Sequence, residues 1–242
     1  MKLNGKTALI TGGGRGLGRA IALAYAQAGA QVAVAARSAD ELAETVWLIE
    51  EQGGRAVALN ADVREASQVT TLVAAAQEAL GPIHVLVNSA GVGLRRPIQE
   101  TSEAEWDTVL DTLLKATFLT CRAVVPQMIE QGGGNIINLS APLERIAVPG
   151  FAAYYAAKCA VDGLTRVMAK DLRRFGINVN ALHPGGFADT RLVRQTVPEV
   201  RSGLLAPAEI GPAAVALAAL PPRGQTGTTV DAHQWRSEGY QN

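Results

Sequence analysis

Apolar residues along this chain follow two rhythms. Compact runs at positions 7–11, 31–35, 56–61, 85–88, 135–139, 177–182 and, more weakly, 228–230 read as β-strands. Between them apolar positions recur every three or four residues, as in helices with one buried face. A helix carrying Ile21, Ala22 and Tyr25 follows the first strand. Ser38-x-x-Glu41 and Ser102-x-x-Glu105 read as capping boxes that start helices reaching about Gln52 and Gln131, the second a candidate for a break. Further helices are expected over about 66–80, 152–175 and 207–219.

Strands separated by helices need crossovers and so pair in parallel. Right-handed crossovers put helices on both faces of the sheet. The expected fold class is therefore α/β: a single-domain, Rossmann-like, doubly wound parallel sheet over residues 1–242. At 48% hydrophobic content the chain can bury a full core, and neither a linker nor an internal repeat interrupts it.

Charge and cysteine content exclude several function classes. Lys and Arg total 22 against 22 Asp and Glu, and no basic run interleaves with aromatics, so nucleic acid is not an expected partner. Cys121 and Cys159 lack metal-like spacing and lie in apolar helical sequence. They read as small residues in a reducing compartment, with neither a disulfide nor a metal site. Met1 to Lys6 lead straight into the first strand, and the longest wholly apolar stretch, 213–220, is too short to span a bilayer. A cytoplasmic protein with no signal peptide and no membrane partner is expected.

Candidate chemistry begins at Thr11-Gly12-Gly13-Gly14-Arg15-Gly16-Leu17-Gly18, where the first strand hands over to the first helix. Glycines there let backbone N–H groups approach a phosphate at a helix N-terminus, whose unpaired donors and partial positive charge stabilise a pyrophosphate without a lysine. Gly12, Gly16 and Gly18 fit TGxxxGxG, and no frame satisfies GxGxxG. A dinucleotide is the expected ligand. An acid ending the second strand would bind the ribose hydroxyls of NAD and repel a 2′-phosphate. Val34-Ala35-Ala36-Arg37-Ser38 offers no acid, whereas Arg37 and Arg15 offer a phosphate clamp, so NADP(H) is favoured and NAD(H) stays open. Asp62, just past the third strand, is placed either to accept a hydrogen bond from an adenine amine or to cap the next helix.

Tyr154 and Lys158 stand four apart in a helical pattern and so share a face. An ammonium near a phenol favours the phenolate and lowers the phenol pKa. A shift of ~3 units takes ~4 kcal/mol, which requires both groups to be shielded from water.

These motifs, with Asn88-Ser89-Ala90-Gly91 and Asn180-Ala181-Leu182-His183-Pro184-Gly185, give a chain that resembles the short-chain dehydrogenases/reductases over about residues 4–230. The resemblance implies that Tyr154 is the acid/base and that Lys158 binds the nicotinamide ribose and tunes the tyrosine. It implies a cofactor-binding set of Gly12, Arg15, Gly16, Leu17, Gly18, Arg37, Ser38, Asp62, Val63, Asn88, Ala90, Gly91, Lys158, Pro184, Gly185, Phe187 and Thr190. It also implies a substrate lid over about 186–206 and a homo-oligomer, dimer or tetramer, paired through the helices near 103–131 and 152–175; Val161, Leu164 and Val167 suit either a partner subunit or the core. The tail over 231–242 departs from the family.

Two catalytic positions depart as well. The family's carbonyl-orienting serine falls on Ala141, with Ser140 one residue early, and its relay asparagine falls on Leu113 beside Thr112. Ser140 substitutes only if the fifth strand has ended before it. Asp189 takes the register of a cofactor-binding threonine, with Thr190 one residue later. Glu144, Arg145 and His183 are further candidates to face a substrate, and Arg95-Arg96 would suit an anionic one. The leading expectation is an NADP(H)-dependent oxidoreductase interconverting a carbonyl and an alcohol on a small organic substrate. The alternatives are an NADP(H)-binding protein without turnover (a sensor or inactive subunit) and a non-redox lyase or isomerase.

Overall fold

Alternate residues of each strand point to opposite faces of the sheet, and both faces here are covered. Ala8 and Ile10 of strand β1 (Thr7–Thr11) join one core with Ile21, Ala22 and Tyr25 of helix α1 (Gly16–Gln27). Leu9, between them, joins the other, with Val69, Leu72 and Val73 of α3 (Ala66–Leu80). This is a computed structural model describing residues 1–237.

The remaining elements are β2 (Gln31–Ala36), α2 (Ala39–Glu50), β3 (Arg55–Asn60), β4 (Val85–Asn88), α4 (Glu103–Leu110), α5 (Ala116–Glu130), β5 (Gly134–Leu139), α6 (Leu143–Ile146), α7 (Ala152–Leu172), β6 (Ile177–His183), α8 (Arg191–Thr196), α9 (Gly211–Ala218), β7 (Thr229–Asp231) and α10 (Ala232–Ser237). Seven strands, all parallel, run in the order β3-β2-β1-β4-β5-β6-β7, the doubly wound sheet expected from the alternation. β1 pairs with β2 on one side and β4 on the other, so the connections leaving β1 and β4 diverge. A crevice opens at their carboxyl ends, where such sheets bind ligands.

Two helix starts differ in outcome. Ser102 and Glu105 form the reciprocal capping box expected of them. Ser38 makes no side-chain cap on α2, and the Glu41 carboxylate that would complete its box pairs with two arginines instead. The helix begun at Ser102 is interrupted by a π-turn, Asp111–Lys115, before continuing as α5. A π-turn adds a residue to the helical circuit and narrows the angle between neighbours, and both Thr112 and Leu113 are buried there. The segment 186–206 contains α8 and is fastened by a bridge between Ala188 and Leu205. Of the atypical tail, α10 is described and residues 238–242 lie outside the described residues. No helix among the described residues is long and apolar enough to cross a membrane.

Candidate active site

The glycine turn is shaped by contact as well as by conformation. Gly12 has φ +67°, and a Cβ on it would lie 2.7 Å from the Ser89 carbonyl oxygen; one on Gly18 would lie 2.2 Å from the Gly12 carbonyl oxygen. The turn can therefore pack against the β4 loop only with hydrogen at both positions. Arg15, the N-cap of α1, supplies no side-chain cap, so the first amides of the helix keep donors for an external acceptor. Such a cradle of unpaired amides fits a pyrophosphate.

Gly12, Arg15, Gly16, Leu17, Gly18, Arg37, Ser38, Asp62, Val63, Ala90, Gly91, Ser140, Tyr154, Lys158, Pro184, Phe187 and Thr190 all line one cleft of about 300 Å³. Two expected members do not. Asn88 is buried beneath the cleft, where its amide donates to Asn138 Oδ1 at 2.9 Å and its Oδ1 accepts from Thr120 at 2.6 Å. Gly185 turns away at φ +85°, against Asp231 and His233. Thr190 lines the cleft although its register is one residue late; its hydroxyl also accepts from Val193 N–H to cap α8. Asp189 is instead paired with Arg194.

At the end near β2, the arginines have different partners. Arg15 donates to both Glu41 carboxylate oxygens, at 2.9 and 3.2 Å, and Arg191 of α8 reaches the same carboxylate at 3.0 Å. Arg37 is exposed and makes no ion pair. Of the two arginines expected to clamp a phosphate, Arg15 is thus ion-paired with Glu41, and Arg37 has no ion pair among the described residues. Both carboxylate oxygens of Asp62 accept from Arg64, which holds that carboxyl below the usual range. Its side-chain Oδ1 also accepts from Arg64 N–H in a local turn, and the N-cap of α3 is Glu65, not Asp62.

Tyr154, Lys158 and Ser140 line the same cleft. β5 ends at Leu139, so Ser140 has left the strand and its side chain is not bound to strand alternation. Its hydroxyl is buried and has no hydrogen-bond partner, although it lines the cleft. The Lys158 ammonium lies 5.7 Å from the Tyr154 ring centre and donates to Leu139 carbonyl oxygen at 2.6 Å. Burial lowers Lys158 to about 8 and raises Tyr154 to about 12. The expected lowering of the tyrosine pKa is reversed in the ligand-free cleft, because desolvation of the phenol outweighs a lysine that faces a backbone carbonyl.

The secondary candidates separate cleanly. Glu144 and Arg145 are exposed, and neither lines the cleft. His183 Nδ1 accepts from Gly185 N–H at 3.1 Å, holding the turn after β6. Arg95 is paired with Glu199 and Arg96 with Glu105. Sequence reasoning missed Glu41 and Arg191, whose partners are distant in sequence, and Arg64, whose partner Asp62 is only two residues away, and it missed the apolar wall of Ile146, Phe151 and Val197.

A family model described as short chain dehydrogenase matches residues 6–201. The chain is 38% identical to a gluconate 5-dehydrogenase of Gluconobacter oxydans, over 81% of this chain and 77% of that protein. It is 41% identical to a 3-oxoacyl-acyl-carrier-protein reductase of Staphylococcus aureus, over 74% of each. A solved metagenomic short-chain oxidoreductase in complex with NADP superposes with a TM-score of 0.83 at 31% identity, over 96% of this chain and 97% of that one.

Proposed function

The chain belongs to the short-chain dehydrogenase/reductase family, and on that premise we propose an NADP(H)-dependent oxidoreductase that interconverts a carbonyl and an alcohol on a small organic substrate. One observation carries the reading. Tyr154, Lys158 and the unpartnered Ser140 hydroxyl converge in the cleft that the glycine cradle opens into. The bound nicotinamide would supply or accept hydride.

The chain's own groups then divide the remaining work. Ser140 Oγ donates to the substrate carbonyl oxygen and orients it, and Tyr154 passes the phenolic proton to that oxygen as the alcohol forms. Lys158 brings positive charge beside the phenol and holds the nicotinamide ribose. Gly12, Gly16 and Gly18, with the first amides of α1, hold the pyrophosphate. Arg37 is the cation for a 2′-phosphate, and the solved neighbour with NADP supports that choice. Pro184, Phe187 and Thr190 line the nicotinamide end, and residues 186–206 act as the lid.

A homo-oligomer in the cytoplasm completes the proposal. Phe118 on α5 and Val167 on α7 are exposed, which supports pairing through these helices. Val161 is not available for it, being buried in the protomer's own interior.

Leu113 and Ala141 favour a second reading, binding without turnover, since each places hydrocarbon where the family has a polar group. NADPH oxidation across a carbonyl panel, run beside NADPH and NADH binding, separates the two. Binding of NADPH with consumption by at least one carbonyl supports the oxidoreductase; binding with no consumption, and no NADP reduction by alcohols, supports the second reading.

A further inference from the structure

Resting on the oxidoreductase reading above, we infer that the substrate is an uncharged carbonyl compound flanked by hydrocarbon, and that the cleft selects against carboxylated and polyhydroxylated substrates. Beyond Tyr154 the wall is built by Leu113, Pro142, Ile146, Phe151, Leu192 and Val197. Leu113, Ile146, Phe151 and Val197 are each at most 5% exposed, so this wall is fixed by the interior behind it.

The polar groups at this end are already accounted for. Ser140 and Tyr154 serve the reacting oxygen. Thr112 donates to the Thr108 carbonyl at 2.7 Å, and Thr196 to the Leu192 carbonyl at 2.7 Å, each within its own helix. Neither threonine proton is therefore free to recognise a sugar hydroxyl.

Four arginines around the mouth are also engaged. Arg95 pairs with Glu199 and stacks over Phe151, Arg96 pairs with Glu105 at 3.0 Å, Arg191 with Glu41 at 3.0 Å, and Arg194 with Asp189. Arg145 lies against Gly186 but does not line the cleft. A substrate carboxylate set against this wall would lose its water and find hydrocarbon there instead of a counter-charge, whereas each methylene buried against the wall gains about fourfold in binding. The gluconate 5-dehydrogenase to which the chain is 38% identical acts, by its name, on a carboxylated polyol. This cleft is built for a different class.

The test uses the full chain with NADPH and four cyclohexanones: unsubstituted, or bearing a tert-butyl, hydroxyl or carboxylate group opposite the carbonyl. kcat/KM should rank the tert-butyl ketone first and the carboxylate last, separated by ~10²-fold or more. A carboxylate or hydroxyl ketone turned over as well as the tert-butyl one overturns the inference. If no ketone is consumed although NADPH binds, the redox reading fails alone. Calorimetric titration of the tert-butyl and carboxylate alcohols into the NADP complex then decides: preference for the apolar alcohol, with a negative heat-capacity change, supports the apolar site, and equal or absent binding overturns it. Leu192→Arg adds a cation to the wall and should raise the carboxylate ketone's kcat/KM at least tenfold; should that variant not fold, the wild-type series stands on its own.

Discussion

The ammonium of Lys158 donates to the backbone carbonyl of Leu139 at 2.6 Å, so the last residue of β5 anchors a side chain from the middle of α7. The same chain segment then turns Ser140 into the cleft, which links the lysine and the serine through one backbone turn. Asp162, one helical turn beyond Lys158, is buried and leaves Oδ1 unpartnered, and its charge favours the ammonium against the desolvation that lowers it.

The first prediction concerns pH and stability. Lys158 titrates near 8 when folded and near 10.5 when unfolded. Below pH 8 both states are protonated, and the folded protein bears the cost of a buried charge. Between 8 and 10.5 the unfolded chain binds a proton that the folded one has released, so this group's contribution to stability rises with pH. Cys121 and Tyr154, both raised to about 12 by burial, act oppositely from about pH 9 and 10 upward. Urea unfolding of the ligand-free wild type and Lys158→Met cancels those groups. The wild type should gain on the variant by ~1 kcal/mol per pH unit above 8, and a constant gap would refute the buried ammonium.

Ser140→Ala should separate stability from turnover. The buried hydroxyl has no partner in the ligand-free protein, so replacing it with a methyl group should stabilise the fold by ~1 kcal/mol. Removing the donor to the carbonyl should lower kcat by ~10²-fold, with NADPH affinity unchanged. Thermal unfolding and steady-state kinetics read the two effects, and an unchanged kcat would remove Ser140 from the catalytic set.

Much of this was legible in the sequence because it depends on local rules. The strand runs, the capping box at Ser102 and the glycine turn each follow from residues near in sequence, and the structure has them. What escaped depends on distant partners. Glu41 reads as half of a capping box until Arg15 and Arg191, 26 residues before and far beyond it, claim its carboxylate. Asn88 reads as a cofactor ligand until Asn138 and Thr120 are seen to bind it in the interior. The Tyr154 pKa was expected to fall through a shielded ammonium on the same helix face, but burial of the ring outweighs that charge and raises it.

Arg37 is the free cation at the end of β2, so charge reversal there should act on one phosphate. Arg37→Asp removes a charge-assisted pair and adds repulsion, which should weaken NADPH binding by ~10²-fold while leaving NADH within a few-fold. Fluorescence titration with both dinucleotides checks it. Equal weakening of the two would mean that Arg37 supports the loop rather than the 2′-phosphate.

Glu41→Gln tests whether an internal carboxylate competes with the cofactor for cations. Glu41 neutralises Arg15 and Arg191 at the cleft wall, and its stem lies over the glycine turn, 3.1 Å from where a Gly14 Cβ would stand. A 2′-phosphate arriving beside Arg37 meets that carboxylate as a like charge. Removing the charge while keeping the shape frees both guanidinium groups for the phosphate. Arg15 and Arg191 are half exposed, so the pairs with Glu41 are screened and each is worth at most ~1 kcal/mol. The gain in NADPH affinity should accordingly be several-fold and should shrink as salt is raised. NADH, which lacks the phosphate, should bind the variant and the wild type alike. Tightening of NADH by the same factor would show that Glu41 acts on the shape of the turn and not on charge.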